Sequence, residues 1–289
     1  MFKAIRRLWG SSGKFRTGIS IVGVLIVLAI LHPLFSWIIG GTQDPLAIGG
    51  YDPWEVPNVD HWLGTDRYGR DLMAMTLDGL AISLEVAAIA GILSTVIGVV
   101  VAFVAGYKGG KLDSVLNTTT DMFLVVPSFP LLLTLSAYLK HVSLLTVALM
   151  LTIFSWPFAA RTIRSYVLSL RSRPYVELAR VTNLNDFQII FQELVPNMLP
   201  YIGVGFANAA LGAIFALVGL EVIGLGPSNI IDLGLMINWA ISWGAMSLGA
   251  WPIFVAPVVF LSLLFIGVNL VNVGLEEMYN PRLRGTAGA

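Results

Sequence analysis

The chain has 289 residues, of which 56% are hydrophobic and only 12% charged, about half the charged share of an ordinary soluble domain, so a soluble globular protein is excluded. Its 17 basic and 17 acidic side chains cancel, and no bulk field points to nucleic acid as a partner. The absence of cysteine removes disulfides, thiolate metal sites, iron–sulfur clusters and cysteine nucleophiles. Three widely separated histidines, His32, His61 and His141, make no metal-ligand set.

A helix needs roughly 20 mostly apolar residues to cross the hydrocarbon core. In chain order, uncharged runs of that size predict spans over residues 18–38, 82–106, 122–139, 142–160, 197–220 and 253–273. The fold class expected is therefore all-α and integral to the membrane, with six transmembrane helices. The first run is too long for a secretory signal, and no small-residue cleavage site follows it, so it reads as a retained helix. The third contains Pro127 and Pro130, and only Lys140 and His141 separate it from the fourth, which predicts a tight helical hairpin. Residues 221–252 are apolar but broken by Gly224, Gly226, Pro227, Gly234 and Gly244. They are expected to enter the membrane partly or to lie against it.

With a cytoplasmic N-terminus, six spans place 14 of the 17 basic residues on the cytoplasmic side, as the positive-inside rule requires. The organisation expected is a cytoplasmic segment 1–17, a first span 18–38, an extracytoplasmic loop 39–81 that holds seven acids between Asp44 and Asp78, a core 82–273 with five further spans, and a cytoplasmic tail 274–289. The loop is longer than the usual connection and so is a candidate for function.

No GxxxxGK[ST] string for a nucleotide-binding loop, no HExxH and no GxSxG is present, which excludes those routes to ATP hydrolysis, zinc proteolysis and serine-hydrolase chemistry. Only Glu85, Asp121 and Glu221 lie within or at the edge of apolar runs, so a proton-driven pump has little to work with.

The polar segment between spans four and five predicts two short helices joined by a turn. Pro174 suits a helix start. Asn183 suits a left-handed turn. Asn185 followed by Gln188 matches a capping box, and Pro196 is expected to close the second helix. Phe187, Ile190, Phe191 and Leu194 recur at i, i+3, i+4 and i+7, one apolar stripe on a surface assigned to the cytoplasm. Such a stripe either expects a partner or packs on the membrane and the chain's own spans.

This segment resembles the signature of ABC importer permeases, in which Glu-Ala-Ala, then Gly, then Ile and Leu-Pro mark a cytoplasmic coupling helix that docks on the ATPase subunit. Glu177, Leu178 and Ala179 stand for the triplet, Asn183 for the glycine, Ile189 and Ile190 for the apolar pair, and Pro196 to Pro200 for the close. Leu178 and Asn183 depart from the signature. The ATPase-coupling residues so implied are Glu177, Ala179, Asn183, Asp186, Phe187, Ile190, Phe191 and Leu194, within a coupling helix 175–196.

The first loop is similar to that of the second permease of oligopeptide and dipeptide importers. The string from His61 to Asp71 matches at Gly64, Thr65, Asp66, Gly69, Arg70 and Asp71; it reads either as a loop folded on itself or as a substrate contact. Gly106 to Gly110, Gly224 to Gly226 and Asn280 to Arg284 are further matches. Glu221-Val-Ile223 stands where relatives carry Ser-Phe-Leu, and Asn272-Val-Gly274 where Gly-Asp-Gly is common. Glu221, Trp239 and Trp243 are thus candidates for a pathway or for a binding-protein-facing surface. These tryptophans, with Trp251, suit an interfacial belt or stacking on sugar rings.

The resemblance implies the type I ABC importer fold and a non-enzymatic, multi-pass permease of the cell membrane. It binds no cofactor itself; ATP and magnesium belong to two partner ATPase subunits. A sister permease in a heterodimer, an extracytoplasmic solute-binding protein and membrane lipid complete the partners. The cargo implied is oligopeptides or dipeptides, with short oligosaccharides or nickel as the alternative; a stand-alone secondary transporter or channel is the alternative of a different class.

Overall fold

A computed structural model describes residues 12–41, 43–138, 143–226 and 230–279. Lys140, His141, Pro227 and the motif from Asn280 to Arg284 lie outside these. The described elements are α1 (Gly13–Ile30), α2 (His32–Gly40), α3 (Leu72–Lys108), α4 (Gly110–Val125), α5 (Ser128–Tyr138), α6 (Leu144–Leu170), α7 (Pro174–Val181), the single turn α8 (Asp186–Gln188), a π-helical stretch Ile189–Leu194, α9 (Val195–Val222), α10 (Leu233–Ser242) and α11 (Pro252–Tyr279). Five stretches are long and apolar enough to cross a membrane, and six if the bent pair α4–α5 counts as one. This agrees with the expected all-α membrane fold.

Prolines set where the apolar runs bend. Residues 18–38 form two helices broken at Leu31, because Pro33 has no N–H to offer the carbonyl four residues back. The third span starts earlier than its apolar run, at Gly110, and turns by 76° between α4 and α5. Val126, at φ −67° and ψ 126°, takes the extended conformation that a following proline imposes. Helix α3, with 37 residues, is roughly 55 Å long and so outruns a hydrocarbon core of about 30 Å.

The chain divides into two compact units. In the unit formed by residues 1–86 and 217–289, α1 packs along α11. A Cβ on Gly18 would lie 2.6 Å from the Gly267 carbonyl oxygen and 2.7 Å from the Val271 nitrogen, so this crossing depends on small residues, as helix contacts in lipid do. At its end Glu277 accepts from Ser12 Oγ at 3.2 Å and pairs with Lys14. Helix α10 packs on α11 and, with 10 residues, is too short to span. In the unit of residues 87–216, Arg164 on α6 forms a two-pronged pair with Asp113 on α4, at 2.6 and 2.7 Å.

Candidate functional sites

The segment from α7 to the start of α9 follows its sequence closely at first. Pro174 opens α7, and Asn183 adopts φ 62°. Asn185 and Gln188 exchange the two bonds of a capping box, at 2.8 and 3.0 Å. The segment departs from its sequence pattern at Ile189. From there the turns are π-helical, and the Val195 N–H bonds the Ile190 carbonyl five residues back. A five-residue spacing puts Ile189 and Leu194 on one face, and both are buried with Val176, Ala179 and Met198 against Ala102, Phe103, Tyr107, Ile163 and Val167.

The single exposed stripe expected from α-helical periodicity is therefore corrected. Leu194 and Ala179 point into the core, Ile190 is half-buried, and the exposed apolar face is Leu178, Val181, Phe187 and Phe191. Phe187 is 68% exposed and its ring lies 4.4 Å from that of Phe191. Glu177 and Asp186 are exposed beside it. Pro196 does not close the helix; α9 runs on through Val222, the wide π turn ahead giving the ring room that an α turn would deny.

Tyr107, the tyrosine of the string Gly106 to Gly110, ties this segment down. Its hydroxyl donates to Asp186 Oδ1 at 3.2 Å, and the Arg180 guanidinium sits 5.5 Å from its ring centre. Arg171 Nη1 donates to the Gly106 carbonyl at 2.8 Å. Burial raises the Tyr175 hydroxyl above its ordinary range. Tyr107 was missed as a site residue because a lone tyrosine after an apolar run reads as an interfacial anchor.

The loop signature is folded upon itself. Gly64 and Gly69 have φ 78° and 69°, and a Cβ on either would strike the carbonyl of Glu55 or of Tyr51, so glycine is required at both. Thr65 Oγ1 donates to the Asp52 carbonyl at 2.6 Å and accepts from the Glu55 N–H at 2.8 Å. Asp66 accepts from the Tyr68 and Arg70 N–H groups at 2.8 and 2.9 Å and from Arg70 Nε at 2.7 Å. Asp71 accepts from the Ala74 N–H at 2.8 Å, and its other oxygen lies 2.8 Å from His61 Nδ1. Asp66 and Asp71 are fully buried, and Arg70 and His61 nearly so. Burial, then the charges of Asp71 and Asp44, raise the Tyr51 hydroxyl. His61 opens the same string, and its pairing with Asp71, ten residues on, has no local sequence signal.

Trp239 and Trp243 stack with ring centres 5.4 Å apart. Trp54 and Tyr68 of the loop meet Trp243 edge-on at 6.1 and 5.5 Å, and the Arg70 guanidinium lies 4.6 Å above Trp239. These ring faces hold the loop on α10.

Glu221, at the end of α9, is 1% exposed, and Asp232 is 2% exposed. Asp232 Oδ1 caps α10 by accepting from the Leu235 N–H at 2.8 Å. Burial pushes the Asp232 carboxyl up, against the backbone N–H groups that pull it down. Aspartate ahead of an apolar helix is a recognisable cap, yet its proximity to Glu221 is invisible across a broken apolar stretch.

Spans of this length define a multi-pass helical membrane protein. Residues 69–285 match the family model for the binding-protein-dependent transport system inner membrane component, and the chain belongs to that family: it has the type I importer fold and is a non-catalytic ABC permease subunit. It is 30% identical over 268 residues to the oligopeptide transport system permease protein OppC of Bacillus subtilis (strain 168), covering 92% of this chain and 85% of the relative. With the dipeptide transport system permease protein DppC of the same organism it shares 31% over 271 residues, covering 92% and 81%. With OppC of Mycobacterium bovis (strain ATCC BAA-935 / AF2122/97) it shares 33% over 232 residues, covering 79% and 78%.

Proposed function

We propose that this chain is the second permease of a peptide importer and moves oligopeptides or dipeptides inward by ATP-driven alternating access. It pairs with a sister permease to enclose the pathway; an extracytoplasmic binding protein delivers cargo, and two ATPase subunits carrying ATP and magnesium close on the cytoplasmic side. Both termini are cytoplasmic, as the distribution of basic residues favours. The segment 174–196 is the coupling element, with Glu177, Leu178, Val181, Phe187 and Phe191 offered to the ATPase, Asn183 and Asp186 setting the turn, and Ala179, Ile190 and Leu194 seating it.

The observation that carries this reading is the pairing of a fully buried apolar base with an exposed aromatic and aliphatic face in one short segment. An exposed apolar face of this kind is the usual mark of a partner surface, and in this reading it takes up the closing of the ATPases. The peptide cargo is supported by the names of the relatives. Of the tryptophans suited to stacking on sugar rings, Trp239 and Trp243 are turned on each other, Tyr68, Trp54 and Arg70, which leaves Trp251 as the exposed one.

The test is uptake into vesicles holding the whole complex, its binding protein and ATP, with labelled short peptides compared with gluco- and xylo-oligosaccharides. ATP-dependent peptide uptake is expected. Glu177→Lys and Phe187→Asp should leave the chain in the membrane, abolish uptake and free the ATPase from control by the binding protein. Normal uptake by both variants would remove the coupling assignment, and sugar uptake alone would move the cargo. Because the chain has no cysteine, single cysteines placed in the loop 39–81 and in 174–196 report orientation by labelling from opposite sides.

A further inference from the structure

Glu221 and Asp232 bring two carboxyl groups into the join between α9 and α10, where both side chains are almost wholly withdrawn from solvent. Each has one oxygen, Oε1 of Glu221 and Oδ2 of Asp232, with no hydrogen-bond partner among the described residues. The site is closely fitted around Glu221. A Cβ on Gly226 would strike its carboxyl group, and one on Gly234 would lie 2.9 Å from its Cβ. Ser83 of α3 lies on the Asp232 side, its Oγ accepting from the Leu233 N–H at 3.4 Å.

Among the described residues no cation answers these two acids. Among the described residues, Asp232 is the charged group whose field reaches Glu221. On α3, Asp78 faces His32 at 3.3 Å and Glu85 is exposed. Helix α10 and residues 223–231 of the sequence contain no charged residue. On α11 the described charges are Glu276, which is exposed, and Glu277, which is bound to Lys14 and Ser12 at the far end. Two ionised carboxylates buried together without a counter-charge are too costly to persist, and such groups take up a proton instead.

We propose that Glu221 and Asp232 hold one proton between them and form a buried proton-binding site at this join. The proton belongs on Glu221. Asp232 Oδ1 already accepts from the start of α10, which favours its charged form, whereas Glu221 Oε1 has no partner among the described residues. Protonation removes the charge from Glu221 and leaves a single carboxylate, on Asp232, in the join. A metal ion is the other conceivable occupant. Calcium wants about six to eight oxygens, and no third Asp, Glu or His joins the pair among the described residues.

The sign of the linkage is fixed by this arrangement. The folded protein keeps a proton that an unfolded chain would release, so stability is greatest below the ordinary carboxylate range and falls as pH rises through the value at which the pair ionises.

The experiment uses the purified whole complex. Infrared difference spectra should contain a carboxylic-acid carbonyl band at neutral pH that shifts in heavy water and is lost in Glu221→Gln. The thermal midpoint of the wild type should drop by roughly 3 to 6 °C between about pH 6 and about pH 9, and Glu221→Gln should flatten that profile. Identical carbonyl regions in wild type and variant, or a wild-type midpoint independent of pH, would overturn the proposal. A midpoint raised by added calcium or sodium in the wild type but not in the variant would replace the proton with that ion. Should Glu221→Gln fail to assemble, Asp232→Asn is read instead: the acid band must remain and change frequency, and an unchanged band would equally overturn it.

Discussion

The loop 39–81 and the segment 174–196 both carry dense family motifs, yet they use their side chains in opposite directions. The loop turns polar groups inward: Asp66, Asp71, Arg70, Thr65 and His61 are buried and bonded to one another or to backbone. The segment turns apolar groups outward, with Phe187, Phe191, Leu178 and Val181 exposed over a base that contains Leu194 and Ile189. Two motifs of comparable strength thus report different things. A buried, mutually satisfied polar set fixes the shape of a region, whereas an unburied apolar set asks for something outside the chain.

That contrast can be broken first in the loop. Asp66→Ala strands the buried Arg70 guanidinium, and removing one partner of a buried pair costs about 3–5 kcal/mol; the thermal midpoint of the purified permease should fall steeply. An unchanged midpoint would mean the loop is not held by this set. In the segment the comparison becomes internal. Leu194→Ala empties a fully buried site and should cost about 2–5 kcal/mol. Phe187→Ala should change stability by no more than about 0.5 kcal/mol while loosening retention of the ATPase subunits by roughly tenfold or more, as truncation of an interface anchor does. Equal stability losses at the two positions would erase the distinction between base and face. The smallest effect on function belongs to Tyr107→Phe, which removes one hydrogen bond to Asp186, worth about 0.5–1.5 kcal/mol. It should leave assembly intact and lower the stimulation of ATPase activity by the binding protein.

Much of the architecture was legible because membrane spans obey a length rule. Leu72–Lys108 and Pro252–Tyr279 each contain the apolar run that announced them, and Leu144–Leu170 covers all but the first two residues of its own. Local chemistry was legible too: Pro174, Asn183 and the Asn185–Gln188 box act within four residues of themselves. What escaped was anything set by the third dimension or by a change of helical period. Periodicity at 3.6 residues put Leu194 on the same stripe as Phe187, and a single stretch of π turns separates them. The His61–Asp71 and Glu221–Asp232 relationships join residues ten and eleven positions apart through turns whose geometry no composition rule supplies. Trp239 and Trp243 were recognised as a surface, but only coordinates reveal that their faces are taken by Tyr68, Trp54 and Arg70.

The π stretch Ile189–Leu194 has a consequence for how this segment is to be compared across related chains. Such a stretch is an α-helix that has accepted one surplus residue. Deleting one residue there would bring Ile189 and Leu194 to a four-residue spacing, still on one face. Phe187, on the turn that carries Ile189, would then keep its direction relative to α9, because the π turn has already taken up the surplus residue locally. The surplus residue is thus slack held within one turn, and a one-residue gap or insertion that a relative carries at this point leaves its exposed apolar face aimed as before.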